Sequence, residues 1–283
     1  MIKLIASDMD GTLLDSNHKI SEENIKAIED AENKGVIFTI ATGRDYNSVK
    51  PVLESYNIKC ECIVLSGAEY RDSSGNVLES IEIEKKDIKS IIDEMHSNGI
   101  ACDVVTNEGI YASEEALYKK GIKEREEMLK ELMGEEGTKE FLKQFKHFYT
   151  PKYIEDIDRF ISSDINVYKI MAYSNNEKLI SDIKKNLVQH DKLAIASTSF
   201  KDIEITHIDA QKGKILKKVI KKMNIAEEEV MVIGDSLNDY SMFEEFECSF
   251  AMGNAMEDIK SVAKYITDTN DNYGVAKAIY KVI

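Results

Sequence analysis

Three clusters of polar residues carry side chains that could do chemistry, and each cluster follows a short apolar run. The clusters are residues 8–12 (Asp-Met-Asp-Gly-Thr), 42–44 (Thr-Gly-Arg) and 234–239 (Gly-Asp-Ser-Leu-Asn-Asp). Apolar runs of this kind are typical of strands buried in a parallel sheet. Ligands of such sheets bind beyond the carboxyl ends of the strands. The three clusters are therefore predicted to converge on one site.

Two of these clusters supply the carboxylates Asp8, Asp10, Asp235 and Asp239. Carboxylates gathered at one point repel each other strongly unless a cation is present. Ligand sets made only of oxygen suit Mg²⁺, which takes one or two carboxylates together with substrate phosphate and water. One carboxylate can attack phosphorus and form an aspartyl phosphate, and a second can protonate the leaving group and later activate water. The residues thus point to magnesium-assisted phosphoryl chemistry.

Such chemistry also needs positive charge and hydrogen-bond donors around phosphorus, because phosphate monoesters hydrolyse extremely slowly unaided. Lys212 precedes Gly213 at the predicted start of a helix, near the positive end of the helix dipole. Thr42 stands at the end of its strand and can donate its hydroxyl. These side chains are candidates for gripping the phosphoryl group.

Each motif has a plainer interpretation when it is taken alone. Asp-x-Asp-Gly is common in loops and could open a calcium loop, but Leu13 stands at the sixth position, where an EF-hand has glycine. Thr-Gly-Arg is most often a plain turn, and Lys-Gly most often lies on the surface. Asn238 or Asp239 could simply cap a helix. Four motifs in this order, three of them at strand ends, favour a functional site.

The elements that position these motifs alternate between strand and helix at both ends of the chain. Ser21 is predicted to cap a helix that Gly35 ends, and a second helix covers residues 45–56. Further helices are predicted at residues 212–223 and 274–282. Strands are predicted at residues 2–7, 36–41, 63–65, 230–233, 249–252 and 265–267. This alternation predicts a parallel sheet with helices on both faces.

The middle of the chain has a different pattern. Residues 72–76 predict the turn of a hairpin. From about residue 83 to residue 206 the sequence is more charged and has long helical patterns, the longest at residues 114–133. Residues 167–173 and 192–198 read as strands. We interpret this stretch as a second α/β domain inserted into the first.

The four motifs together resemble those of the haloacid dehalogenase (HAD) superfamily, most closely the Cof-type (subfamily IIB) sugar-phosphate phosphatases. The resemblance covers nearly the whole chain, including Ala-Met-Gly-Asn-Ala at residues 251–255 and the segment 270–275. It implies an α/β fold with a Rossmann-like three-layer core around a parallel sheet, formed by residues 1–82 and 207–283. An α/β cap of the C2 type is implied for residues 83–206.

The resemblance also implies a role for each motif residue. Asp8 would be the nucleophile and a Mg²⁺ ligand, and Asp10 the general acid and base, with its backbone carbonyl on the metal. Asp235 would bind Mg²⁺ directly, and Asp239 would hold a metal-bound water. The groups expected to bind phosphoryl oxygens or the substrate phosphate are the side chains of Thr42, Lys212 and Asn238 and the backbone amides of Met9, Asp10 and Gly43.

The chain departs from these relatives after the third strand. Many relatives have Asn-Gly-Ala after the third strand, whereas this chain has Ser66-Gly67-Ala68.

The cap would close over the site, exclude bulk water and select the leaving group. Four of its residues could touch substrate, but we interpret them as ordinary solvated or packed side chains: Lys169, Arg125, His147 and Tyr149.

The function that these arguments favour is Mg²⁺-dependent hydrolysis of a small phosphorylated metabolite, in particular a sugar phosphate, through an aspartyl phosphate. A phosphotransferase or phosphomutase would use the same intermediate but exclude water. A protein of this fold that only binds a ligand is the third alternative. The intact set of Asp8, Asp10, Thr42, Lys212 and Asp235 argues against it.

Composition narrows the range of partners and locations. The formal net charge of −15 argues against nucleic-acid binding and against anionic membrane surfaces. The four cysteines have neither zinc nor redox spacing and are interpreted as free thiols in a reducing compartment. With no signal peptide and no membrane span expected, the protein is predicted to be cytoplasmic, as a monomer or a homodimer.

Overall fold

The computed structural model describes residues 1–144 and 151–283. Contacts within the chain divide it into two compact units. Unit 1 is formed by Met1–Ser80 and Asp209–Ile283, and unit 2 is formed by Ile81–Ile208. The sequence placed the insertion at residues 83–206, and its role as a cap stays a prediction.

The described residues form strands and helices throughout both units. The strands are β1 (Leu4–Ser7), β2 (Ile37–Ala41), β3 (Glu61–Val64), β4 (Glu69–Arg71), β5 (Val77–Ser80), β6 (Asp103–Thr106), β7 (Gly109–Ala112), β8 (Lys152–Tyr153), β9 (Val167–Tyr173), β10 (Leu193–Ala196), β11 (Asp202–His207), β12 (Val230–Gly234), β13 (Cys248–Ala251) and β14 (Tyr265–Ile266). The α-helices are α1 (Glu22–Asn33), α2 (Tyr46–Ser55), α3 (Lys85–Ser97), α4 (Glu115–Gln144), α5 (Ile157–Ser162), α6 (Glu177–Leu187), α7 (Lys212–Lys222), α8 (Tyr240–Glu245), α9 (Glu257–Val262) and α10 (Gly274–Ile279).

Unit 1 is built on one sheet with the strand order β14-β13-β12-β1-β2-β3-β4-β5. The strands from β14 to β3 pair in parallel, and β4 and β5 add an antiparallel hairpin at the edge. The predicted α/β fold with a parallel sheet is therefore confirmed, as is the hairpin around residues 72–76. Because β1 lies between β12 and β2, the loops that follow these strands emerge side by side.

The helix signals in unit 1 act as the sequence predicted. The Ser21 side chain accepts a hydrogen bond from the Asn24 amide at 3.1 Å and caps α1. Gly35 follows the end of α1 with a φ of +82°, where glycine avoids the strain that a side chain would bring. The closing helix is shorter than predicted, since α10 ends at Ile279 rather than at residue 282.

Unit 2 has a second sheet with the order β10-β11-β9-β6-β7-β8. The apolar faces of α3 and α6 cover one side of it, with Ile91 and Ile183 packed in the same cluster as Ile170 and Ile203. The prediction for residues 167–173 coincides with β9, and the helix predicted at residues 114–133 corresponds to the part of α4 before a kink at Gly134. The strands β6, β7, β8 and β11 were not predicted from the sequence.

The four insertion residues that we interpreted as ordinary solvated or packed side chains have different outcomes. Lys169 is packed, with 1% of its side chain exposed, and pairs with Glu204 at 2.8 Å. Arg125 is partly buried beside Asp103. His147 and Tyr149 lie outside the described residues. Over residues 1–144 and 151–283, every helix is too short or too polar to cross a bilayer.

Candidate active site

The site begins at Asp8, the residue that follows the central strand β1. Its amide donates to the Ile233 carbonyl at 3.0 Å, so β1 and β12 continue side by side to their ends. This pairing places the loop that begins at Asp8 next to the loop that contains Asp235. Only 4% of Asp8 is exposed, and its carboxylate is therefore largely shielded from water.

Lys212 is the positive centre of the site. It is the first residue of α7 and is fully buried, with its Nζ 2.7 Å from Asp8 Oδ1 and 2.6 Å from Asp239 Oδ1. Asn238 Oδ1 lies 3.4 Å from the same Nζ. Burial lowers the pKa of Lys212, but the charges of Asp239 and Asp8 outweigh this effect and hold the pKa above its ordinary value. The ammonium therefore stays charged.

Close packing fixes the start of α7. A Cβ on Gly213 would lie 2.1 Å from the Ser241 carbonyl oxygen, so only glycine fits there. The Gly213 amide also donates to Ser241 Oγ at 3.0 Å. The Lys-Gly pair in the sequence thus marks the point where α7 meets α8, and this contact aims Lys212 into the site.

Asp239 is fully buried, and both of its carboxylate oxygens are used. Oδ1 accepts from Lys212, while Oδ2 accepts from the amides of Asp235 at 3.0 Å and Ser236 at 3.1 Å. Asp239 therefore shapes the loop that carries Asp235. Its predicted contact with a metal-bound water stays a prediction.

Asp235 is held by two hydroxyl groups. Thr12 Oγ1 donates to Asp235 Oδ1 and Ser236 Oγ donates to Oδ2, both at 2.9 Å. Burial, with the charge of Asp239, raises the pKa of Asp235 to about 6. Gly11 approaches closely: it has a φ of +75°, and a Cβ there would lie 2.6 Å from Asp235 Oδ2.

The carboxylates of this site have the donor chemistry of a site for a hard cation. One oxygen each of Asp8, Asp235 and Asp239 lies within 4.8 Å of the other two. Burial raises the pKa of Asp8 well above its ordinary value, and Asp239 adds to this shift although Lys212 opposes it. A divalent cation would compensate this excess of buried negative charge. Oxygen-only donors fit Mg²⁺.

Asp10 has a different environment from the other three aspartates. Its carboxylate forms a bidentate pair with Arg44, whose Nε and Nη2 lie 2.6 and 2.5 Å from Oδ2 and Oδ1. About half of the Asp10 side chain, 48%, is exposed, whereas that of Arg44 is buried. The carboxylate of Asp10 is therefore at the rim of the site, and its predicted metal contact, through the backbone carbonyl, stays a prediction.

Thr42 follows β2 and is held by the loop between β3 and β4. The amides of Ser66 and Leu65 donate to the carbonyls of Thr42 at 3.0 Å and Arg44 at 2.8 Å. Leu65, Ser66 and Gly67 have φ values of 53°, 59° and 105°, and a Cβ on Gly67 would lie 2.6 Å from the backbone of Gln211. This strained loop therefore links Thr42 to the start of α7.

The hydroxyl of Thr42 and the loop at Met9 were predicted to bind phosphoryl oxygens, and both are held by local hydrogen bonds. Thr42 Oγ1 accepts from the Arg44 amide at 3.2 Å, an interaction that does not use the hydroxyl proton. The Met9 carbonyl accepts from the Leu14 amide at 2.9 Å, which turns the chain back after Asp8. The roles assigned to the amides of Met9, Asp10 and Gly43 stay predictions.

Sequence reasoning named the motif residues but missed several of their partners. Arg44 stood in a recognised motif without a role, and the structure pairs it with Asp10. Asn254 Nδ2 donates to the Gly11 carbonyl at 2.8 Å and steadies the loop after β1. Its only signal in the sequence was its place in the family-like segment 251–255.

Comparison with known proteins finds relatives that match this chain over nearly its whole length. The family model described as haloacid dehalogenase-like hydrolase matches residues 5–279. The phosphatase YwpJ of Bacillus subtilis (strain 168) is 33% identical over 286 residues, which cover 97% of this chain and 98% of the relative. The 5-amino-6-(5-phospho-D-ribitylamino)uracil phosphatase YcsE of the same strain is 32% identical, covering 98% of this chain and 94% of its own. A solved structure of a haloacid dehalogenase-like hydrolase from B. subtilis matches with a TM-score of 0.85 and 31% identity, each chain covered by 100%.

Proposed function

Because the chain belongs to the haloacid dehalogenase-like hydrolases and is a phosphoric monoester hydrolase, we propose that it acts on sugar phosphates with Mg²⁺ through an aspartyl phosphate on Asp8. The observation that carries this proposal is the buried contact of the Asp8 carboxylate with Lys212, next to Asp235 and Asp239. A buried carboxylate beside a fixed ammonium can receive a dianionic phosphoryl group. The outcome is hydrolysis of a phosphate ester.

In the first step Asp8 attacks phosphorus. Among the residues described, Lys212 is the hydrogen-bond donor to Asp8 Oδ1, and Oδ2 is left to form the new bond. The bond between Oδ2 and phosphorus forms while the bond between phosphorus and the ester oxygen breaks. Lys212, Thr42, Asn238 and the amides of the Asp8 loop would hold the phosphoryl oxygens.

The carboxylates of Asp8 and Asp235 and the backbone carbonyl of Asp10 would hold Mg²⁺, with Asp239 on a bound water. When bound, the ion would neutralise charge on the phosphoryl oxygens. It would also offset the burial of these carboxylates and their mutual repulsion, which together raise the pKa of Asp8 and Asp235. Lys212 alone does not offset that repulsion.

Asp10 would move both protons of the reaction. A carboxylate in a bidentate pair with Arg44 cannot donate a proton, so acid catalysis requires Asp10 to take up a proton and leave Arg44. Asp10 would give this proton to the departing ester oxygen. In the second step it would take a proton from the water that attacks phosphorus, and the bond to Asp8 would break to release phosphate.

The sugar-phosphate class of substrate rests on relatives rather than on the site. One relative is named for a compound with a phosphorylated D-ribityl chain, a polyol phosphate. Its 32% identity over 98% of this chain makes phosphorylated sugars and sugar alcohols the first compounds to test. The phosphoryl site itself recognises only the part that all these esters share.

A phosphate-release assay tests this function. The full chain is incubated with a panel of sugar and sugar-alcohol phosphates plus an aryl phosphate, without any acceptor sugar, with Mg²⁺ or with EDTA. We expect phosphate release that needs Mg²⁺. Release only when an acceptor is added would favour a phosphotransferase, and activity unaffected by EDTA would overturn the magnesium site.

A further inference from the structure

We propose that unit 2 contains a second binding site, which takes a small aliphatic α-amino acid as its zwitterion. The site is a cavity of about 120 Å³ formed by the loop after α3, the first half of α4 and the end of β9. This volume has room for several water molecules and hence for a ligand of a few heavy atoms. Every residue that lines it belongs to unit 2.

Asp103 supplies an acceptor that lacks a partner. This first residue of β6 is only 4% exposed. Its Oδ2 lies 3.6 Å from Arg125 Nη1, whereas its Oδ1 is buried without a hydrogen bond to any residue described. A buried carboxylate oxygen without a donor is costly. A ligand ammonium group would donate to it.

The charges around the cavity match a ligand that carries both signs. Asp103 and Glu124 are acidic, and Lys120 and Arg125 are basic, and all four line the cavity. An anionic ligand would be repelled by the two acidic side chains, and a cationic ligand would be repelled by the two basic ones. The carboxylate of an amino acid would meet the basic side chains while its ammonium meets Asp103.

Arg125 is positioned for this role by an aromatic contact. Its guanidinium carbon lies 5.3 Å from the centroid of the Tyr173 ring, and 24% of its side chain is exposed. This cation–π contact restrains the planar guanidinium, which can bind a carboxylate through two parallel hydrogen bonds. Arg125 therefore combines partial accessibility with a restrained orientation.

Apolar side chains define the rest of the ligand. Leu117, Ile122 and Leu179 line the cavity with the charged residues. They would cover a short aliphatic side chain, and the small volume leaves little space for a larger one. Valine and leucine combine the required charges with a side chain of this kind.

Isothermal titration calorimetry of the full chain tests the proposal. The probes are valine and leucine, with isobutylamine and isovalerate as the analogues of valine that lack the carboxylate or the amine. We expect saturable binding of at least one amino acid and binding at least about tenfold weaker for both analogues, because each loses one charged hydrogen-bonding group. No saturable binding of valine or leucine, or equal binding of an analogue, would overturn the proposal.

Variants locate the binding and separate it from the phosphatase reaction. Asp103→Asn should weaken binding at least about tenfold. Asp93→Asn, which removes an exposed carboxylate of α3, should leave it unchanged. Asp8→Asn should bind the amino acid as the wild type does, whatever its phosphatase activity. Normal binding by Asp103→Asn, or lost binding in Asp8→Asn, would contradict the assignment.

Discussion

At the scale of single residues, the site depends on the fully buried cation Lys212. Its Nζ lies within 2.7 Å of Asp8 and 2.6 Å of Asp239, and it holds two carboxylates that would repel each other without it. The same contacts hold the carboxylate of Asp8, the proposed nucleophile, and that of Asp239, which accepts from the loop of Asp235. We therefore expect this one side chain to contribute both to stability and to catalysis.

Replacement of Lys212 by Met tests this double role. Removing one partner from a buried charge cluster leaves its carboxylates unpaired, so Lys212→Met should lower the free energy of unfolding by about 3–5 kcal/mol and abolish phosphatase activity. Urea denaturation and a phosphate-release assay measure the two effects.

The matched control lies on the same helix. Lys217 is 38% exposed and pairs with Glu227 and Glu245, so Lys217→Met should cost at most about 1 kcal/mol and leave activity intact. Equal losses of stability in the two variants would show that burial of Lys212 does not govern the site.

The titration of Asp103 gives a pH-dependent test in unit 2. Burial raises the pKa of its carboxyl above the ordinary 3.8, and Arg125 opposes the shift only in part. The folded protein then binds the proton more tightly than the unfolded chain. Stability from this group is therefore complete at low pH and is lost as pH rises above the ordinary pKa.

Asp103→Asn removes this titration. We expect the variant to gain stability relative to the wild type as pH rises from about 3 to 7, measured by urea denaturation. Asp93 is exposed, so Asp93→Asn should show no such trend. A constant difference between Asp103→Asn and the wild type across this range would contradict the assignment.

At the scale of elements, the loops after β1 and β12 are pressed together. Gly11 and Asp235 meet so closely that a Cβ would lie 2.6 Å from the Asp235 carboxylate. The positive φ of Gly11 adds a second reason for glycine. Gly35 offers a comparison, because its φ of +82° imposes similar strain while nothing lies within 4 Å of its missing Cβ.

The pair Gly11→Ala and Gly35→Ala separates backbone strain from damage to the site. Both should lose about 1–2 kcal/mol of stability through the left-handed conformation. Only Gly11→Ala should displace Asp235, and its kcat/KM should fall about a hundredfold. Steady-state kinetics and urea denaturation of both variants check this, and equal kinetics would remove Gly11 from the site.

The local sequence predicted the parallel strands of unit 1 and the helices α1, α2, α7 and α10, because apolar runs and capping residues there agree with the fold, but it did not predict the short helices α8 and α9. Ser21 caps α1, and Asp8 and Asp235 follow buried strands as the pattern indicated. In unit 2 the alternation of apolar and polar residues at Ile203, Glu204 and Ile205 is typical of a strand, but β11 was not predicted from it. The strands β6 and β7 are four residues each and carry a weaker pattern.

The partners of the site residues were beyond local reasoning, because each joins segments far apart in the chain. The pairing of Arg44 with Asp10 spans 34 positions, and that of Lys212 with Asp8 spans 204. Motif order predicted that these segments meet. Which oxygen accepts from which donor depends on packing such as the contact of Gly213 with Ser241.

At the scale of the whole molecule, the chain has a formal net charge of −15, and several of its carboxylates are buried together in the candidate site. Asp8 and Asp235 come from the two ends of the chain, and only the folded unit 1 brings them together. A cation bound there would stabilise the folded state and not the unfolded chain. Metal binding should therefore be visible as stability of the whole protein.

Thermal or urea denaturation with increasing Mg²⁺ tests this coupling. At a concentration of about one hundred times Kd we expect a gain of about 2.7 kcal/mol, which EDTA reverses. Asp235→Asn should lose most of this gain, whereas the exposed Asp258→Asn should keep it. A gain that persists in Asp235→Asn, at matched ionic strength, would indicate nonspecific screening of the acidic surface.

The most direct test of the central claim is to find the phosphoryl group on Asp8. With an aryl phosphate, whose leaving group needs little acid assistance, Asp10→Asn should form the aspartyl phosphate but fail to activate water. Mass spectrometry of the acid-quenched variant should then show one phosphoryl group on the peptide that contains Asp8, and none in the double variant with Asp8→Asn. A burst of aryl alcohol with that peptide unmodified, or with phosphate on another residue, would contradict the account.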